Sequence, residues 1–172
     1  MYNQKHLVAK RIVFGLLALA MMVVIFFFSS QNGEESGNLS NSITETVVDF
    51  VVKTFDVQFE KTEENMSIVK MIIRKLAHFS EYFVFAVFVT LFMYTFKLNK
   101  LALSGISLAI AALYATTDEF HQSFVDSRFA SPIDIGIDSS GALVAILILF
   151  LIFSLAERKY KKDDIKVETY PI

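Results

Sequence analysis

The sequence contains no cysteine, which removes disulfides, thiolate zinc sites and cysteine nucleophiles from consideration. Only two prolines and six glycines occur in 172 residues, so residues that break helices are scarce and a compact helical bundle is favoured. Basic charge is not in surplus either. The formal net charge is -2, and a basic surface that would seek nucleic acid is absent. What the chain does have is apolar mass: 54% of its residues are hydrophobic, 18 are phenylalanine, and the mean hydropathy is positive. That is too apolar for an ordinary soluble domain of this length and indicates a single membrane domain over residues 1–172.

Four apolar runs carry the membrane reading. They cover about residues 12–28, 76–96, 101–117 and 137–156. Each approaches the ~20 residues a helix needs to cross a hydrocarbon core of about 30 Å. Only helices satisfy their own backbone groups in lipid in runs of this kind, so the expected fold is an all-α, integral membrane four-helix bundle. The first run follows Lys10 and Arg11, but it is longer than a signal-peptide core and "FFFSSQ" has no A-x-A-like site, so an uncleaved anchor is expected.

Charge sets an expected orientation. Lys5, Lys10 and Arg11 precede the first run, Lys97 and Lys100 sit between the second and third, and Arg158, Lys159, Lys161, Lys162 and Lys166 lie in a tail at 157–172. A four-span topology puts these segments on one side, which the positive-inside rule makes cytoplasmic, with both termini. The outer side then holds a loop at 29–75, with eight acids against five bases, and a loop at 118–136. Within the first outer loop, Ile43, Val47, Phe50, Val51 and Phe55 recur at helical spacing, and Ser42 with Glu45 fits a capping box. An amphipathic helix is expected there, either lying on the outer membrane face or packed as a cap over the bundle.

Ionisable chemistry gathers at that outer level. In "RKLAHFSEYFVFA", Arg74 or Lys75, His78, and Glu81 or Tyr82 are spaced to share one helix face. Glu81 sits inside an apolar run, where an ionised side chain costs roughly 2.5–3.5 kcal/mol unless it is paired or wetted. Two readings stay open for it: a functional group, or an intrabundle salt bridge to Arg74, Lys75 or Arg128. In "TTDEFHQ", Asp118 shares a face with His121 or Gln122 if the helix continues, and Glu119 points elsewhere. Asp134 and Asp138 are four apart where the fourth helix begins, where dipole capping accounts for one of them but not for both. Gly141 with Ala145, and Gly105 with Ala109, offer small surfaces on which helices can approach. The sum is a polar pocket between helix ends. Two histidines and several carboxylates are metal-ligand types, yet H-x-x-E is not H-E-x-x-H.

The stretches "FSSQNGEESGNLS", "KLAHFSEYFVFA" and "YATTDEFHQSFVDSRFASPIDIGIDSSGALVA" together resemble the VanZ-like family of small bacterial membrane proteins, from about Phe28 to Ala145. The resemblance maps recurrent polar positions onto Lys75, His78, Glu81, Tyr82, Asp118, Glu119, His121, Gln122, Arg128, Asp134, Asp138 and Gly141. One departure is "VDS" before Arg128, where the family often has a proline and glycine. The resemblance implies a tie to glycopeptide resistance, specifically to teicoplanin, an acylated antibiotic acting on lipid-linked wall precursors at the outer membrane face.

Three functional expectations follow. The first is a pocket that binds or modifies the headgroup of a lipid-linked envelope precursor or lipopeptide. His78, Glu81, Asp118, His121 and Asp138 are its candidate catalytic or ligating groups, and Lys75, Tyr82, Glu119, Gln122, Arg128 and Asp134 its candidate binding groups. The second is a scaffold or interaction protein whose polar cluster is an interhelical latch. The third, an ion pathway, has little support, because the third and fourth helices carry no mid-membrane charge. Whether a metal or other cofactor binds is left open by these residues, and the bilayer itself is the expected partner.

Overall fold

A computed structural model describes residues 4–128 and 130–169. It contains five helices in chain order: α1 (Gln4–Ser29), α2 (Gly33–Phe55), α3 (Glu63–Tyr94), α4 (Lys100–Gln122) and α5 (Pro132–Thr169). Among the described residues, α1, α3, α4 and the Pro132–Lys159 part of α5 are long and apolar enough to cross a membrane. The all-α four-span bundle with one additional helix is therefore the observed architecture.

The elements are longer than hydropathy alone implies, and the reasons are local. The second spanning helix begins at Glu63 rather than near residue 76, because Thr62 caps it: its Oγ1 accepts from the Asn65 N–H at 3.2 Å. Glu63 and Glu64 in the first turn suit the positive end of the dipole. Lys70, Arg74 and Lys75 interrupt the apolar run without interrupting the helix. At 32 residues, α3 is roughly 48 Å long, more than the hydrocarbon core requires. α4 extends to Gln122, so residues 118–122 are helical rather than loop. α5 starts at Pro132, where proline's missing N–H is harmless, rather than at Ile137. Its far end continues as helix to Thr169 instead of stopping at 156, and residues 170–172 of the expected tail lie outside the described residues.

The outer loop expected at 29–75 is thus almost entirely helix, and that at 118–136 shrinks to residues 123–131. The capping box at Ser42 is not formed. α2 starts nine residues earlier at Gly33, and Ser42 is interior, its carbonyl accepting from Thr46 Oγ1 at 2.9 Å.

α3 is the hub, packing on α5, α1, α4 and α2, whereas α2 packs chiefly on α3. The core joins Tyr82, Phe85, Ala86 and Val89 of α3 to Ala111 and Ala115 of α4, Ala142 and Ala145 of α5, and Ile25 of α1. Alanine dominates the facing positions, which lets the backbones close in. At Gly141 the approach is closest: a Cβ there would run into the Phe79 carbonyl, so the expected small face on α5 is real. The expected Gly105–Ala109 face is not. A Cβ at Gly105 would meet nothing within 4 Å and Ala109 is exposed. α4 instead buries Leu103, Ser107, Ala111, Ala115 and Glu119 at four-residue intervals, a ladder ending on a carboxylate, with Asp118 buried beside it. Large apolar side chains such as Leu16, Val23, Leu113 and Leu147 stay exposed along the spans, as lipid-facing positions do.

Opposite ends of the bundle differ in kind. At one, Arg11 donates from Nε to Thr95 Oγ1 and from Nη2 to the Thr95 carbonyl, both at 3.1 Å, closing the C-terminus of α3. Lys100 pairs with Glu157 at 2.6 Å there. The other end carries the polar cluster.

Candidate functional site

Three seams supply the cluster. In the α1–α4 seam, Ser29 Oγ donates to Asp118 Oδ2 at 2.7 Å, and Gln122 Nε2 donates to the same oxygen at 3.1 Å and to Ser29 Oγ at 3.0 Å. All three side chains are buried. Asp118 and Gln122 are one helical turn apart, so they share a face as expected. Glu119 is also buried, one oxygen accepting from the Ser131 N–H at 2.8 Å and the other without a hydrogen-bond partner.

The second seam is the α4–α5 loop against the start of α2. Arg128 donates from Nη1 to the Ser29 carbonyl at 3.2 Å and from Nη2 to Ser36 Oγ at 2.8 Å. Burial lowers its pKa below the usual guanidinium value; Arg74 adds to this, and the carboxylates of Asp118, Glu119 and Glu81 oppose it. The loop fits here because Gly33 lacks a side chain: its N–H donates to the Asp126 carbonyl at 3.1 Å, and a Cβ would fall 2.6 Å from the Ser127 carbonyl oxygen. Ser127 itself lies in the left-handed region at φ 60, in the "VDS" segment where the family often places a glycine.

The third seam joins α3 to α5. Lys75 Nζ pairs with Asp134 Oδ1 at 2.6 Å, half exposed. One turn deeper, His78 Nδ1 lies 3.9 Å from Asp138 Oδ1. Asp138 is completely buried, and neither of its oxygens, nor His78 Nδ1, nor the nearby Tyr82 hydroxyl, has a hydrogen-bond partner.

Between these seams runs a groove with two lobes. One, about 180 Å³, has apolar walls from Phe28, Leu39, Ile43 and Ile73 and reaches Glu81. The other, about 290 Å³, is bordered by Lys75, Asp134 and Ser127. Arg74, His78 and Arg128 line both. A roomier cavity of about 540 Å³ between α2 and the start of α3 is lined by residues such as Asn41, Glu45, Lys61 and Lys70 and touches none of this cluster.

The expected site residues thus divide. Lys75, His78, Glu81, Arg128 and Asp134 line the groove, with Asp138 behind His78 and Tyr82 buried in the core below. Asp118, Glu119 and Gln122 are buried behind it. His121 is apart: its ring stacks on Phe26 at 4.6 Å and approaches Ser30 Oγ at 3.1 Å, and it does not line either lobe. The salt bridge entertained for Glu81 is not formed among the described residues. Nor do three histidine or carboxylate groups among them converge as a metal set would require. Sequence reading passed over Ser29, Ser36 and Ser127. "SSQNGEESGNLS" reads as turn-formers, although its presence in the family pattern was the available signal.

The pairing of "KLAHFSEY" with "DEFHQ…R…D…D…G" at one end of a four-span bundle has a counterpart in a family model, VanZ/LLP1, which matches residues 14–153. The chain belongs to the VanZ/LLP1 family. The match covers most of the four spans and every residue of the groove. No curated protein and no solved structure matches the chain. In this VanZ/LLP1 chain the polar cluster and the spans are one unit, since the buried carboxylates hang from the spanning helices themselves.

Proposed function

We propose that this VanZ/LLP1 membrane protein binds the anionic headgroup of a lipid-linked cell-envelope precursor or lipopeptide in the two-lobed groove, at the outer leaflet. One observation carries the reading: Arg74, His78 and Arg128 are shared by a lobe with apolar walls and a lobe bordered by charge. That is the shape of an amphiphile, with chain on one side and phosphate or carboxylate on the other, and arginine is suited to grip either anion in a bidentate manner. The outer placement rests on charge asymmetry. Lys5, Lys10, Arg11, Lys97, Lys100 and Arg158 lie at the end opposite the groove. A teicoplanin-type lipopeptide presents the same union of acyl chain and polar head, so a contribution to teicoplanin resistance follows from the same groove.

Native mass spectrometry of the purified protein with a polyprenyl phosphate tests the proposal. Arg74 is the residue to change, because it lines both lobes yet makes no direct structural hydrogen bond among the described residues. Arg74→Gln is expected to stay folded and lose most of the bound lipid. A variant that retains the lipid fully defeats the proposal.

A second reading, the interhelical latch, is favoured by a different fact: Arg128 already spends two of its nitrogens on Ser29 and Ser36. If the latch is the whole function, Arg74→Gln leaves both lipid retention and stability untouched while Arg128 variants unfold.

A further inference from the structure

The groove contains one arrangement that binding does not require. His78 Nδ1 is turned toward Asp138 Oδ1 at 3.9 Å, and the imidazole lines both lobes from the same wall. Asp138 is fully buried on α5, beside the Gly141 contact that fixes α3 and α5 in register. Both oxygens of its carboxylate and the facing ring nitrogen are without any hydrogen-bond partner, so the two groups face each other at ion-pair distance with nothing else to satisfy them. A carboxylate that only capped α5 would meet backbone N–H groups instead. A carboxylate behind an imidazole orients the ring and stabilises its protonated form, which leaves Nε2 as the working nitrogen. The polar lobe around that ring presents Arg74, Lys75 and Arg128 against Asp134, a net positive wall.

We infer that the groove is a phosphohydrolase site, in which His78 is the general base, Asp138 positions it, and the substrate is a phosphoryl group carried by a lipid. This rests on the headgroup-binding reading above. In the step, His78 Nε2 takes a proton from water as the water oxygen bonds to phosphorus. The bond from phosphorus to the lipid-side oxygen breaks, and its electron pair stays with that oxygen. The proton held by His78 then passes to the leaving oxygen or to solvent. The products are inorganic phosphate and the lipid shortened by one phosphoryl group, so no oxidant or further reactant is needed. Arg74 and Arg128 neutralise charge on the phosphoryl oxygens.

The lipid can be a polyprenyl pyrophosphate or a diacyl phosphatidic acid, which share the terminal phosphoryl group. The full-length protein in detergent is given each in turn, and released phosphate and bound lipid are both measured. Wild type is expected to release phosphate from one or both, and the productive lipid identifies the chain preferred. His78→Gln should retain lipid but release phosphate slower by roughly 100-fold or more, the usual weight of a general base. Asp138→Asn should lower kcat with KM little changed, which a merely structural role would not produce. Wild type that binds lipid and releases no phosphate overturns the hydrolase inference and leaves the binding reading standing. Absence of both defeats the two together. Should His78→Gln fail to fold, His78→Asn is the second variant, and undiminished turnover in either overturns the role of His78.

Discussion

Arg128 Nη2 donates to Ser36 Oγ at 2.8 Å, so the first turns of α2 hang on the loop between α4 and α5. The same guanidinium holds the Ser29 carbonyl, which ends α1. Three chain segments distant in sequence meet on one side chain. Since α2 otherwise packs chiefly on α3, this strap fixes one end of a helix that walls the apolar lobe.

Removing the acceptor should therefore loosen α2 without dismantling the bundle. Ser36→Ala is expected to cost about 1.5–3 kcal/mol, the range for hydrogen bonds to a charged donor. Arg128→Ala should cost more, about 3–5 kcal/mol, because it removes two charge-assisted hydrogen bonds at once, to the Ser29 carbonyl and to Ser36 Oγ. Thermal melts in detergent measure both. Hydrogen exchange should localise the Ser36→Ala effect to residues 33–55. Uniform exchange across all helices would show that Ser36 is not a local strap.

Two glycines, both read from the sequence as packing sites, should behave oppositely. Gly141→Ala drives a methyl into the Phe79 carbonyl, a backbone atom that cannot rotate away, and is expected to destabilise by about 1–3 kcal/mol. Gly105→Ala meets open space inside α4 and should be neutral or stabilising by up to about 1 kcal/mol through helix propensity. The Tm of each variant decides; equal effects would mean that the α3–α5 contact is not close.

That contrast shows how far the sequence was legible. The four spans stood out because lipid demands apolar length, which any window over residues 12–28 or 137–156 reveals. The polar cluster stood out because carboxylates beside apolar runs are costly. Helix ends were hidden where charge replaces grease. Lys70, Arg74 and Lys75 mask the first turns of α3, although Thr62 supplies an ordinary cap. Which small face packs was also hidden, since periodicity gives Gly105–Ala109 and Gly141–Ala145 the same standing. Only the tertiary position of Phe79 separates them. His78 and His121 likewise differ by which helix faces them, and no local pattern records that.

The two histidines give the next test. His121 stacks on Phe26 and meets Ser30, both of the α1 end, and lies outside the groove. His121→Ala should cost about 1 kcal/mol in Tm terms, from one aromatic contact and one exposed hydrogen bond. Its retention of a polyprenyl phosphate should match wild type, while the effect of His78→Gln should appear in turnover. Loss of lipid in a folded His121 variant would move the site toward the α1–α4 seam.

Lys75 and Asp134 form an ion pair at the groove's edge, with 37% and 26% of their side chains exposed. A pair that wet contributes less than about 1 kcal/mol, so Lys75→Gln should barely shift the melt. It should nonetheless weaken retention of an anionic lipid several-fold, and the difference from wild type should shrink as salt is raised. A Lys75→Gln melt that drops as far as that of Arg128→Ala would instead make the pair architectural.

Orientation is testable because the chain has no cysteine of its own, so a single introduced thiol reports its side without background. Glu60, in the exposed turn between α2 and α3, lies at the groove end; Arg158, exposed near the far end of α5, lies opposite. In intact cells a membrane-impermeant maleimide should label Glu60→Cys and should reach Arg158→Cys only after permeabilisation. Neither position is buried, so both variants should fold. The reverse pattern would put the groove in the cytosol. There it would still meet lipid phosphates, but of the inner leaflet, and the link to outer-face wall precursors and to teicoplanin would fall while the chemistry of His78 and Asp138 remained open to the same assays.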